Sequence, residues 1–211
     1  MSACASPIRV MVVDDHPLLR EGIAAVLERQ DDMRLVAEAT DGREAIEAFR
    51  HARPDVTLMD LQMPHMGGIE AITAIRGEFP QARIVVLTTY HGDVQALRAF
   101  KAGASGYLLK NLLRKELIET IKIIHQGGRR IPPEIATEIA EHATADALSE
   151  REIEVLRWVA RGNANKRVAS LLGISEDTVK AHMKSILAKL RANDRTHAVT
   201  IALKRGIIDV D

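Results

Sequence analysis

Three aspartates, a threonine and a lysine stand at the ends of short apolar runs. Asp14 and Asp15 follow Val10-Met11-Val12-Val13, and Asp60 follows Val56-Thr57-Leu58-Met59. Thr88 follows Ile84-Val85-Val86-Leu87, and Lys110 follows Gly106-Tyr107-Leu108-Leu109. Such runs, rich in β-branched residues, read as buried strands. In an open parallel sheet, ligands sit beyond the carboxyl ends of the strands, at the point where strand order reverses. If the order is 2-1-3-4-5, the first and third strands are neighbours and the three carboxylates converge. Like charges that close need a counterion. Oxygen ligands with room for water and phosphate suit Mg²⁺ better than a calcium cage. With the Thr88 hydroxyl and the Lys110 ammonium, the set describes a phosphoryl site. A lone strand-end acid is ordinarily a solvated loop residue, but acids, lysine and hydroxyl on four strand ends reverse that reading. His16 could join the acids as a transition-metal ligand of a hydrolase; the Pro17 and helix start that follow make it a helix-entry residue at the mouth of the site.

The elements that must position these groups follow from periodicity. Arg34-Leu35-Val36-Ala37 supplies a fifth strand, and residues 18–29, 43–53, 69–77, 94–102 and 115–125 carry apolar residues at helical spacing. Five βα units in a row imply an α/β fold with a doubly wound five-stranded parallel sheet, covered by helices on both faces. Gly127-Gly128 stops the fifth helix and Pro132-Pro133 marks a boundary. Residues 134–142 are expected to form a short linker helix. Beyond it the strand signals vanish, and four short helical patterns predict an all-α domain. The first opens on Leu148-Ser149-Glu150-Arg151-Glu152-Ile153, with Ser149 as N-cap, Glu152 completing a capping box and Leu148 stapling to Ile153. Gly162 ends it. Residues 166–172 make the second helix, Gly173-Ile174-Ser175 is the turn of a helix-turn-helix, and Ser175 caps a third helix running to Leu190. Asp194 caps the fourth.

On the third of these helices Val179, Met183, Ile186, Leu187 and Leu190 share an apolar arc, and Lys180, Ala181, Lys184, Ser185 and Ala188 share the opposite one. Lysines can meet phosphates or guanines, and alanines allow close approach of the backbone. A small, basic outer face suits the major groove of DNA. The whole-chain charge conceals this bias. With 29 basic and 29 acidic residues the net charge is zero. Yet residues 1–127 hold 15 basic against 17 acidic, residues 128–147 hold 2 against 4, and residues 148–211 hold 12 against 8. A chain of 211 residues that is 46% hydrophobic and 27% charged excludes a disordered or collagen-like protein. The lone Cys4 cannot form an intramolecular disulfide, no signal-peptide pattern precedes Pro7, and no apolar run could cross a bilayer, so a cytoplasmic chain is expected.

Val12-Val13-Asp14-Asp15-His16, Met59-Asp60-Leu61-Gln62-Met63-Pro64, Thr88 and Gly106-Tyr107-Leu108-Leu109-Lys110 resemble the receiver domain of bacterial response regulators. That resemblance implies a flavodoxin-like fold with Asp60 as phosphoacceptor. It implies Mg²⁺ held by Asp15, Asp60 and the Gln62 carbonyl with Asp14 in support, and Lys110 paired with the phosphoryl group. Thr88 would turn inward to bond a phosphoryl oxygen while Tyr107 rotates into the vacated space. Asn111 stands where receivers usually carry proline. Ala164-Asn165-Lys166, Leu172-Gly173-Ile174-Ser175, Thr178-Val179-Lys180-Ala181-His182 and Leu187-Ala188-Lys189-Leu190 are similar to the LuxR-type helix-turn-helix. By that likeness Lys180, Ala181 and Lys184 face the groove with Ser185 beside them, Asn165 and Lys166 lie near phosphates, and Thr178 is a local cap. Arg167 replaces a more usual acid. The expected whole is a two-component transcription factor of the NarL type and not an enzyme acting on an external substrate: receiver 1–127, linker 128–147 and DNA-binding domain 148–211. A sensor histidine kinase, promoter DNA and a second copy of the chain are the implied partners. A metal-dependent phosphohydrolase would use the same acids but leaves the second domain without a purpose.

Overall fold

The computed structural model describes residues 6–89, 92–142 and 147–208, so Cys4 and the end of the linker at 143–146 lie outside the described residues. Two compact units form: of the described residues, 6–89 and 96–132 make the first, and 133–142 and 147–208 make the second, with 92–95 grouped with the second.

In the first unit β1 (Ile8–Val13), β2 (Met33–Ala39), β3 (Val56–Asp60), β4 (Ile84–Thr88) and β5 (Gly106–Leu109) form one sheet in the order β2-β1-β3-β4-β5, every pair parallel. Strands β1 to β4 each begin or end one or two residues beyond their apolar runs, and β5 coincides with its run. The hydrogen-bond ladder continues through Arg9 and Asp60, which hydropathy alone would exclude. All residues of β3, β4 and β5 are buried, as a sheet covered on both faces requires, whereas edge strand β2 is buried mainly at its ends. One face carries Val10, Val12, Leu58, Val85, Leu87 and Leu108 against α1 (Pro17–Leu27) and α5 (Leu113–His125), through Ile23, Leu27, Leu117, Ile121 and Ile124. Alternation sends Met11, Met59, Val86 and Tyr107 to the other face. The remaining helices are α2 (Gly42–Ala52), α3 (Gly68–Glu78) and α4 (Asp93–Ala102). Asp41 caps α2 by accepting from the Arg43 and Glu44 amides at 2.8 and 2.9 Å. Past α5 the chain returns to β5, where the Tyr107 amide donates to the Arg130 carbonyl at 2.9 Å and blunts that edge of the sheet.

The second unit is helical: α6 (Pro133–His142), α7 (Glu150–Ala160), α8 (Asn165–Leu172), α9 (Glu176–Leu190) and α10 (Arg195–Lys204). The predicted caps are present. Ser149 and Glu152 form the capping box of α7, Ser175 accepts from the Thr178 amide at 3.0 Å, and Asp194 accepts from the His197 amide at 2.8 Å. Gly173 closes α8 at φ 64°, a left-handed conformation that favours glycine and frees the chain to turn into α9. Val155, Leu156, Val159, Val168, Val179, Met183, Ile186, Leu190, Ala198 and Ala202 make the core.

Candidate functional site

The strand order brings the carboxyl ends of β1 and β3 side by side, and the acids follow. Asp14 is fully buried immediately after β1, and Asp60, the last residue of β3, is 3% exposed. Lys110, the first residue after β5, places its Nζ 2.8 Å from Asp14 Oδ2 and 2.8 Å from Asp60 Oδ2. The other Asp60 oxygen accepts from the Leu61 amide at 2.8 Å and from the Gln62 amide at 3.4 Å. Asp14 Oδ1 accepts from the His16 amide at 2.9 Å, and its carbonyl accepts from Arg20 Nη1 at 2.6 Å. Arg20 Nε in turn lies 3.4 Å from Glu38 on β2, so α1 is tied to the loop that carries the acids.

Burial pushes the Asp60 carboxyl above its ordinary pKa; the Lys110 ammonium opposes that shift and the Asp14 charge adds to it. Burial pulls the Lys110 ammonium down, but its hydrogen bonds to Asp14 and Asp60 outweigh that and leave it above its ordinary value. Ligand atoms of Asp14, Asp15, His16 and Asp60 lie within 4.8 Å of one another. Asp15 Oδ1 is a buried oxygen that accepts no hydrogen bond, with the exposed His16 ring 2.7 Å away. A set dominated by carboxylate oxygens fits a hard divalent cation such as Mg²⁺.

The other expected residues are placed around this cluster. Gln62 is exposed in the loop after β3. Thr88, 2% exposed, ends β4 beside the strand that carries Asp60. Tyr107 is fully buried, its ring 6.2 Å from Phe100 of α4. Asn111 lies in a 3₁₀ turn, Lys110–Leu112, that runs directly into α5. Gly68 escaped notice in the sequence. A Cβ there would lie 2.0 Å from the Asp60 carbonyl oxygen and 2.9 Å from Leu61 Cα, because α3 starts hard against the end of β3. Gly68→Ala is expected to destabilise the first unit by about 3 kcal/mol, the cost of overpacking against backbone that cannot yield. A denaturant midpoint that does not fall would contradict this.

In the second unit α8, the Gly173 turn and α9 form the helix-turn-helix. On α9, Val179, Met183, Ile186 and Leu190 are buried and Leu187 half-buried, while Lys180, Ala181, Lys184 and Ala188 are exposed. Lys180 Nζ lies 3.0 Å from Asp177 and 3.5 Å from Glu176 on its own helix, and its pKa is raised foremost by the Asp177 hydrogen bond. Thr178 completes the cap, its hydroxyl 2.8 Å from that of Ser175. Asn165, half-buried, and Lys166, exposed, open α8, and Arg167 is exposed beside them. Ser185 departs from the expected outward set. It is half-buried, and its hydroxyl donates to Glu152 Oε1 of α7 at 2.6 Å, because a buried carboxylate on the neighbouring helix competes for it. Among the described residues no helix is long and apolar enough to cross a membrane.

Two family descriptions match the chain: the response regulator receiver domain over residues 10–122, and the bacterial regulatory proteins of the luxR family over residues 146–202. The transcriptional regulatory protein YxjL of Bacillus subtilis is 41% identical over 95% of this chain and 97% of its own length. Among solved structures, the response regulator ChrA of a heme-sensing two-component system is 37% identical over 96% of this chain and all of its own, with a TM-score of 0.58. RcsB of Salmonella enterica serovar Typhimurium, bound to a promoter in the presence of the phosphomimetic BeF₃⁻, is 26% identical over 93% of this chain and 98% of its own, with a TM-score of 0.72. Another RcsB structure, 25% identical over 94% of this chain and 99% of its own with a TM-score of 0.69, holds two dimers on two parallel DNAs. The receiver description covers the parallel sheet and its acids, and the luxR description covers the helix-turn-helix. The chain belongs to the two-component response regulators that join a receiver domain to a LuxR-type DNA-binding domain, and it is a DNA-binding regulator of transcription.

Proposed function

We propose that a sensor histidine kinase phosphorylates Asp60 and that the acyl phosphate favours a dimer that binds promoter DNA. The observation that carries this reading is the Lys110 ammonium, 2.8 Å from both Asp14 and Asp60, where the oxygens of an arriving phosphoryl group would meet it. The Leu61 amide and Lys110 hold the two Asp60 oxygens in a fixed plane, so the carboxylate is oriented before it attacks phosphorus. One Asp60 oxygen forms the new P–O bond while the bond to the donor histidine nitrogen breaks. Asp14, Asp15, Asp60 and the Gln62 carbonyl would hold Mg²⁺, which when bound neutralises charge on the transferred oxygens. The product carries about −2 charge on the phosphoryl group. Thr88 answers that charge with a hydroxyl hydrogen bond, and the buried Tyr107 ring follows it, which gives the receiver two states for phosphorylation to bias. The same pocket supports self-phosphorylation from small acyl phosphates and slow self-dephosphorylation in the cytoplasm.

Residues 1–127 form the receiver in this reading, 128–147 the linker and 148–211 the DNA-binding domain. Lys180, Ala181 and Lys184 enter the major groove, with Asn165 and Lys166 on the phosphates. The dimers and the phosphomimetic promoter complex described for RcsB support the same mode of action. With acetyl phosphate and Mg²⁺ the chain is expected to gain the mass of one phosphoryl group, to dimerise by light scattering, and to bind a duplex selected from random DNA more tightly. A mass gain with unchanged association and DNA binding would refute the switch. Lys184→Ala is expected to weaken DNA binding and to lower the salt slope by about one counterion. An unchanged slope across a salt series would remove Lys184 from the interface.

A further inference from the structure

We infer that Glu152 is the positioning residue of the DNA-reading helix: its buried carboxylate fixes the rotation of α9 and withholds Lys189 from DNA phosphates. The inference rests on the reading of α9 as the groove-facing helix. Glu152 is 4% exposed on α7, and both of its oxygens are engaged. Oε1 accepts from the Ser185 hydroxyl at 2.6 Å. Oε2 accepts from Lys189 Nζ at 2.8 Å, from the Ser149 amide at 2.7 Å and from the Ser149 hydroxyl at 3.0 Å. Lys189 makes a second bond to the Ala147 carbonyl at 3.2 Å, so its ammonium is held at the start of α7.

The geometry makes the grip a rotational stop. Successive residues of a helix are about 100° apart, so Ser185 and Lys189 share one stripe, one turn apart, along the flank of the exposed face that carries Lys180, Ala181, Lys184 and Ala188. The apolar face of α9 sets its depth in the core, but apolar contacts are non-directional and tolerate a small rotation. Hydrogen bonds to a carboxylate are directional and stronger than neutral ones. Ser149 fixes the carboxylate from the other side, since Glu152 completes the capping box of its own helix. The azimuth of the reading face is therefore referred to the first turn of α7. Lys189 would otherwise add an unselective phosphate contact at the edge of that face.

The test compares binding of full-length Glu152→Gln, Ser185→Ala and Glu152→Gln/Lys189→Met to two duplexes across a salt series: one selected by the wild-type chain from a random pool, and a scrambled duplex of equal length. Trp158 fluorescence monitors folding of the same domain. In Glu152→Gln the amide cannot neutralise Lys189. The ratio of selected to scrambled affinity is expected to fall about tenfold, and the salt slope on the scrambled duplex to steepen by about one. The double variant returns the slope to wild type without restoring the ratio. Ser185→Ala keeps the ion pair, folds with the charge still balanced, and lowers the ratio with the slope unchanged. A purely structural Glu152 would lower the melting temperature while ratio and slope stay at wild-type values in the folded protein, and that result overturns the inference. Should Glu152→Gln not fold, an unchanged ratio in Ser185→Ala overturns it equally. If the wild-type chain itself selects no duplex, the reading of α9 falls and the inference with it, a failure seen before any variant is made.

Discussion

An Asp60→Asn chain is expected to take up no phosphoryl group from acetyl phosphate, to show no response in association or DNA binding, and to melt above wild type in metal-free buffer at neutral pH. The first two outcomes follow from removing the proposed phosphoacceptor carboxylate, which the Leu61 amide and Lys110 orient. The third follows from the sign of its pKa shift. Burial raises the folded-state pKa of Asp60 above its ordinary value despite Lys110. An acid shifted upward costs stability once ionised: no penalty exists below its unfolded pKa, and the penalty grows as pH rises through the folded one. Asparagine has no charge to desolvate, and Asp14 remains as partner for Lys110. Adding Mg²⁺ should stabilise wild type and narrow the gap, because a divalent cation offsets the charge that burial penalises. Melting curves at pH 7 with and without Mg²⁺ check this; a variant less stable than wild type without metal would show that the ionised Asp60 stabilises the pocket.

Glu152→Ala is expected to lower the stability of the DNA-binding domain by on the order of 3 kcal/mol at neutral pH, with the difference vanishing in acid. Burial alone would raise the Glu152 carboxyl, but Lys189, Ser185 and Ser149 together hold it down at about 2, against an ordinary 4.5. A depressed acid contributes stability that is full above its unfolded pKa and lost as pH falls through the folded one. The window is therefore pH 4.5 down to about 2. The chain's single tryptophan, Trp158, lies on α7, the helix that carries Glu152, so its fluorescence follows this domain through denaturant titrations. A wild-type advantage of equal size at pH 7 and pH 2 would mean that packing, not the charge of Glu152, stabilises the domain.

The acid tested by the first experiment was legible in the chain, and much of the partnership tested by the second was not. Asp14, Asp15, Asp60, Thr88 and Lys110 each end a recognisable apolar run, and a strand's carboxyl end is a local property of the run. The capping box at Ser149 and Glu152 spans four residues and could be read directly. So could the glycine turn at Gly173 and the buried and exposed arcs of α9, since helical periodicity repeats every few residues. Family likeness then gave these positions roles that spacing could not.

Other features depend on contacts distant in sequence. Whether Asp14 and Asp60 converge is a question of strand order, settled by how five βα units pack and not by any one of them. Lys110 reaches Asp60 across fifty positions, and Gly68 is required because α3 starts against the end of β3. Ser185 lies on the outer arc by periodicity, yet its hydroxyl turns to Glu152, thirty-three positions earlier. Side-chain type and local spacing thus specified the elements, their caps and the inventory of reactive groups. Pairing among those groups was left to the fold, because a buried charge takes whichever partner packing brings within hydrogen-bond reach.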